Sequence, residues 1–436
     1  MKSTSTNLKK IFVHCPFSFS KVLKIALLFF LSIYFLLGLL IPVGDDLNLT
    51  FSEKETVLFE FDLMGFELGN VFDKWAYRAA GITPWSNVSK ITKQKDFDKY
   101  IELSPFIREA EFALLEVLAQ DSNNVSKISK TQVDLKKFFL QRDSVRNGAE
   151  EHLETAITKT LKEHRIGSTG KFVWPPVDIR IDNPPRLLII SPRTEIRRIE
   201  TVLINPEITV EQIANIENKL LKNYDVSAII LKVGGLATYP SIIPSGRELL
   251  PMLEVSAHEW LHAHLFFYPL GQAFFEGGNM VTINETLANI VGDEIGGLTW
   301  SRLTGNPPPS RIQTNSMVST LDHTSFNYAA FMKETRLEVE KLLEFGEIEK
   351  AEYWMEKRRN ELLEHGYYFR KINQAFFAFY GDYADSPLAI SPIANQLWAL
   401  KTNIGSTGKL LKEMRQISSV KEFEVLLSKY DVPISK

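Results

Sequence analysis

Cysteine is nearly absent from this 436-residue chain, with Cys15 the only one. No disulfide can close within a single chain, and a centre built on several thiolates is excluded. An excess of one charge is missing as well. Lys and Arg number 50 against 53 Asp and Glu, a net charge of −3 with neutral histidines. No basic tract interleaved with aromatics occurs, so the composition gives no reason to expect a nucleic-acid partner. Internal repeats and long low-complexity tracts are also lacking. Stability has to come from ordinary packing, for which 44% apolar residues suffice.

What the chain does have is one long apolar run. Ile25 to Val43, "IALLFFLSIYFLLGLLIPV", contains no charge. At ~1.5 Å per helical residue it matches a hydrocarbon core about 30 Å thick. Lys9, Lys10, Lys21 and Lys24 precede it, and Asp45 and Asp46 follow. The positive-inside bias then predicts a cytoplasmic tail (1–24) holding Cys15, a single transmembrane helix (25–43) in a cell membrane, and the rest of the chain outside the cytoplasm. "LLIPVGDD" lacks the small residues a signal-peptide cleavage site prefers, so the run is expected to stay as an anchor.

Beyond the anchor, residues 47–170 space their apolar positions by three and four, which predicts a helical region, a stalk or shield beside the main domain. At "KFVWPPVDIRIDNPPRLLIISPRTEI" prolines begin to punctuate short apolar runs, the texture of strands. "TVEQIANIENKLLKNY" reads as a helix, and "SAIILKVGGLATYPSIIP" as two further β runs, "LATYPSII" being an edge strand because Pro240 has no N–H. From Leu249 the pattern is helical almost to the end. The expectation is an α+β fold, with a sheet-bearing lobe and a C-terminal helical lobe in residues 171–436.

Chemistry concentrates in "LEVSAHEWLHAHLFF". His258 and His262 are four apart, so on a helix both imidazoles leave one face toward one point. Glu259 lies about 100° round, placed for a water beside the metal rather than for the metal. His264 is turned off that face. Twenty-three residues after His262 comes "NETLANIVGDEIGGL", in which Glu285, Asn289 and Asp293 form a stripe opposite an apolar face of Leu287, Ile290, Val291 and Ile295. A carboxylate from this second helix would complete three protein ligands of a kind that suits zinc. Gly292, Gly296 and Gly297 would let the helices approach closely. Glu276, in the Gly-rich "AFFEGGN", is the rival third ligand.

"HEWLH" followed by "NETLA" resembles the gluzincins, the thermolysin-like zinc peptidases, and is similar to little-described membrane-anchored bacterial proteins that share these motifs. The likeness covers roughly residues 185–430, is specific at the motifs and is loose elsewhere. It implies one zinc per chain held by His258, His262 and Glu285, with Glu259 as general base acting on a peptide or protein substrate. Asn289 falls where thermolysin-like members place an aspartate that accepts the N–H of the first histidine. "SAIILKVGGLATYPSII" falls where they bind substrate backbone along a strand edge. They also donate a tyrosine or histidine to the developing oxyanion. Here Tyr380 is the choice, since it ends an apolar run before Gly381, with Tyr367, Tyr368, Tyr383, His365 and His323 as alternatives. Arg370 and Asn373 are either substrate contacts or surface and capping residues. "GGLATYP" is not the strand motif of the clan's aminopeptidases, yet exo- and endopeptidase action both stay open. The competing class is a catalytically silent, peptidase-like scaffold at the membrane surface. Oligomeric state is not legible in the sequence.

Overall fold

The computed structural model describes residues 49–82, 90–120, 125–169, 172–309, 326–367, 369–381 and 392–434. The expected tail and transmembrane helix, with Cys15, lie outside these residues, as do Tyr368, Tyr383 and His323. Among the described residues no helix is long and apolar enough to cross a membrane. The chain divides after Thr50, and Phe51–Lys436 forms one compact unit.

That unit is mixed α+β, mostly helical with small sheets. Four helices open it: α1 (Phe51–Thr56), α2 (Leu63–Ile82), α3 (Lys90–Gln120) and α4 (Val125–Glu163). Strands β1 (Ser168–Thr169), β2 (Phe172–Val173), β3 (Ile179–Asp182), β4 (Arg186–Pro192) and β5 (Glu200–Ile204) follow. Helix α5 (Val210–Tyr224) begins at a capping box, Thr209 and Gln212 each satisfying the other's backbone N–H. Then come β6 (Val226–Lys232), β7 (Ser241–Pro244), α6 (Leu249–Leu265), α7 (Pro269–Ala273) and α8 (Asn279–Thr304). The elements described after it are all helices, as expected: α9 (Tyr328–Glu344), α10 (Ile348–Glu364), α11 (Gln374–Tyr380), α12 (Ile393–Ile404), α13 (Thr407–Met414) and α14 (Val420–Lys429).

The strands do not join into one sheet. They form an antiparallel three-stranded sheet in the order β5-β4-β6, a parallel pair β3-β7, and a short antiparallel pair β1-β2. In the larger sheet the alternation of side chains is used on both faces. Leu188, Ile190, Ala228 and Ile230 pack on Ile213, Ile216 and Leu220 of α5. Ile189 and Ile229 pack on Met332, Met355, Phe376 and Phe377 of α9, α10 and α11.

The predicted edge segment contributes β7, which pairs with β3 alone in a two-stranded sheet and so lies at a sheet edge; Leu236 meets it only through a single bridge to Ile242, and Pro240 stands just before the strand. In the larger sheet the outward groups of the edge strand β6 are closed by side chains. Glu217 accepts the Ile230 N–H at 2.8 Å, while Lys371 and Asn373 donate to the Ala228 carbonyl at 3.2 and 2.9 Å. Arg370 pairs with Glu217 at 2.5 Å and reaches the Ile230 carbonyl. Asn373 also caps α11 through the Phe376 N–H. Both residues therefore serve the fold, the bland half of the sequence expectation. Closing an edge strand this way also guards it against pairing with another chain.

The largest core surrounds α6 and α8. Met252, Leu253, Ala257, Leu261 and Leu265 meet Ile283, Leu287, Ala288, Ile290 and Val291. Phe97 and Tyr100 of α3, and Leu153, Ile157 and Leu161 of α4, lie in the same core, as do Leu397, Leu410 and Phe423 from the C-terminal helices. Residue 170 is thus no boundary in packing: the helical region contributes directly to the wall behind α6. Close approach of α6 and α8 depends on two of the three predicted glycines. A Cβ at Gly292 would stand 2.9 Å from the Glu254 carbonyl, and one at Gly296 would stand 2.8 Å from the Glu254 Cα. At Gly297 it would meet only Pro308 at an ordinary 3.5 Å.

Candidate metal centre

Helix α6 is apolar almost all round and is accordingly buried, with Trp260 donating to the Pro175 carbonyl at 2.9 Å. Its fixed rotation presents His258 and His262 together. From α8 the buried Glu285 arrives opposite them. The three side chains form the one possible metal-binding group among the described residues, all donor atoms within 4.8 Å of one another. His258 Nε2 and His262 Nε2 are 3.0 Å apart, and each is 3.5 Å from Glu285 Oε2.

These separations allow a test of fit. Three atoms so spaced lie on a circle of about 1.9 Å radius, so a point just off their plane is ~2.0–2.1 Å from all three, the zinc–nitrogen and zinc–oxygen distance. Glu285 Oε2 is buried with no close hydrogen bond, only the two imidazole nitrogens at 3.5 Å facing it, an arrangement that a cation between the three would complete. The donor set and its spacing fit a divalent ion of zinc's size.

Asn284 supplies what the sequence reading left unassigned. It is buried, and its Oδ1 lies 2.9 Å from His262 Nδ1 while its Nδ2 donates to the Leu270 carbonyl at 3.2 Å. The amide orientation is fixed by that carbonyl, so His262 Nδ1 must carry the proton it gives to Asn284. A neutral His262 then turns the lone pair of Nε2 toward the centre. The residue sits in the quoted "NETLA" motif, and its position one before Glu285 on a helix was the available signal. Asn284→Ala should weaken metal affinity by roughly 10–100-fold with the fold retained, measured by competition against a chromogenic chelator. Unchanged affinity would remove this role.

Glu259 is buried beside His258, His262 and Glu285 and lies outside their group. Burial pushes its pKa above the ordinary carboxylate value, opposed in part by His258 and His262. The Gly234–Gly235 turn after β6 lies directly over it, and a Cβ at Gly235 would collide with the Glu259 carboxylate. Arg247 holds this turn by donating to the Gly234 carbonyl at 3.0 Å. Burial opposes protonation of His262, but the Glu285 carboxylate more than offsets it and lifts the pKa to about 9 in the metal-free chain. Glu285 would be raised by burial, yet His262 and His258 hold it well below the usual range.

Among the described histidines and acidic residues, no other predicted residue joins this group. Tyr380 belongs to the core between the sheet and α9–α11, its ring 4.6 Å from Phe376 and 5.0 Å from Phe379. Tyr367 stacks on Tyr328 and His365 on Phe326. Glu276 is exposed in a single 3-10 turn, outside the ligand group. Asn289 is half-buried one turn beyond Glu285 on α8. His264, excluded by its angle, is buried elsewhere, with Nδ1 2.6 Å from the Trp174 carbonyl and its ring over Trp260.

No protein-family model, curated protein or solved structure matches this chain.

Proposed function

We propose that this chain is a membrane-anchored zinc peptidase, tethered by Ile25–Val43 with its compact unit outside the cytoplasm. The observation that carries the reading is the convergence of two imidazoles and a buried carboxylate on one point, with a second buried carboxylate beside them that is outside the group. His258, His262 and Glu285 would hold the ion. A zinc ion so held supplies Lewis acidity toward a carbonyl oxygen and toward water. Glu259 takes a proton from the attacking water as the new C–O bond forms, then delivers it to the nitrogen as the C–N bond breaks. Burial, which raises the affinity of Glu259 for a proton, suits a group that must accept and return one. Gly235 leaves its carboxylate space, and Arg247 keeps the turn above it in place. The donor of a hydrogen bond to the developing oxyanion is not assigned among these residues.

The test is direct. The purified chain should contain about one zinc, cleave a mixed peptide library, lose that cleavage to a chelator and regain it with zinc. A chain that binds zinc at this site and cleaves no peptide would instead be the scaffold.

A further inference from the structure

Helix α2 is built inside out. Its charged face is turned into the protein. Lys74, 2% exposed, meets Glu154, Asp178 at 2.7 Å and Glu150 at 3.5 Å. Burial opposes its charge, but these carboxylates overcome that and hold its pKa above the ordinary lysine value. One turn further, Arg78 pairs with Glu151, Glu154 and Asp178. The opposite face is apolar and bare. Met64, Leu68, Phe72 and Trp75 are 72%, 54%, 72% and 63% exposed. With the exposed Gly65, Ala76 and Ala79 they occupy an arc of about 120°, at ~100° per residue, that contains no charge. Leu58, just before the helix, is 87% exposed.

A helix facing water carries these two faces the other way round. One that faces hydrocarbon carries them as found here, with charge paired against protein and apolar side chains outward. Four charges, Glu67, Asp73, Lys74 and Arg78, keep α2 from crossing a bilayer. It can lie along one, its Trp and Phe at headgroup depth. The tether makes this reachable. Val43 ends the apolar run eight residues before α1, at most about 28 Å of extended chain. We infer that the Met64–Leu68–Phe72–Trp75 face of α2 rests in the interfacial layer of the lipid bilayer. The inference rests on the anchor reading above, and it adds a second membrane contact that would orient the compact unit relative to the lipid surface.

The full chain, reconstituted in phosphatidylcholine vesicles containing lipids brominated high on their acyl chains, decides it. The emission that Trp75→Phe removes should be quenched at least about twofold by the brominated lipid. The double variant Leu68→Glu, Phe72→Glu should lose this quenching, keep the far-ultraviolet circular dichroism of the parent, and still pellet with vesicles after alkaline carbonate. Carbonate extraction with Trp75 still quenched in untreated vesicles would uphold the inference and remove the transmembrane anchor. An unquenched Trp75 overturns it, whether or not the chain pellets. If Phe72-dependent cross-links between chains accompany that unquenched Trp75, the face belongs to a second copy.

Discussion

If the proposed reading holds, Glu259→Gln should cut peptide cleavage by about 10²–10⁴-fold while zinc content stays near one per chain. The amide keeps the shape of the carboxylate, so the space under Gly235 stays filled. It cannot take a proton from water, so about 3–5 kcal/mol of barrier returns. Folding should not suffer. Glu259 is buried and its folded pKa is raised, so its contribution to stability is fully present only below its unfolded pKa and is lost as pH rises through the folded value. In the metal-free chain Glu259 is therefore a cost to stability above its unfolded pKa, and glutamine removes it. Melting temperature of the chelated chain at pH 8 should be equal or higher in the variant. Measuring cleavage, zinc and melting together separates the alternatives. Lost zinc would make Glu259 a ligand, a collapsed melt would make it structural, and equal cleavage would end the proposed mechanism.

The clustering of His258, His262 and Glu285 was legible because its signal is local. A spacing of four on one helix fixes where His258 and His262 point, whatever the helix packs on. The same logic gave Glu285 on the next helix, and the exclusion of His264, whose ring indeed lies against Trp260. What the sequence concealed is non-local. Gly235 is 24 positions before Glu259, and only the turn after β6 brings the two together. Arg370 and Asn373 close the edge of β6 from about 140 residues away. Tyr380 was chosen because Gly381 would expose it. The turn does end there, but α11 faces the sheet, so the ring enters that core instead. The orientation of α2 was not legible for a different reason. Periodicity reveals that a helix has two faces and leaves open which one meets the protein. Lys74 and Arg78 are what fasten α2 to α4 and the residue before β3.

Removing zinc should make stability fall more steeply as pH is raised. In the metal-free chain the His262–Glu285 pair is a buried ion pair. His262 has a folded pKa of about 9 against an ordinary 6.5, so its share is complete below pH 6.5 and is lost as pH rises through 9. That share amounts to roughly 3 kcal/mol. Glu285 has a depressed folded pKa, so its share is present above its ordinary 4.5 and is lost only as pH falls well below that. The chelated chain should therefore be most stable between about pH 4.5 and 6.5 and weaken toward pH 9. Zinc requires the neutral ring, whose Nε2 lone pair Asn284 already aims at the centre. Each ion bound below pH 9 must displace the His262 proton, so apparent affinity should rise about tenfold per pH unit up to that point. Stabilisation by a fixed excess of zinc grows with affinity, so the melts with and without zinc should diverge as pH is raised. Parallel curves from pH 6 to pH 9 would mean that zinc and the proton do not compete for His262, and the centre would have to be built from other atoms.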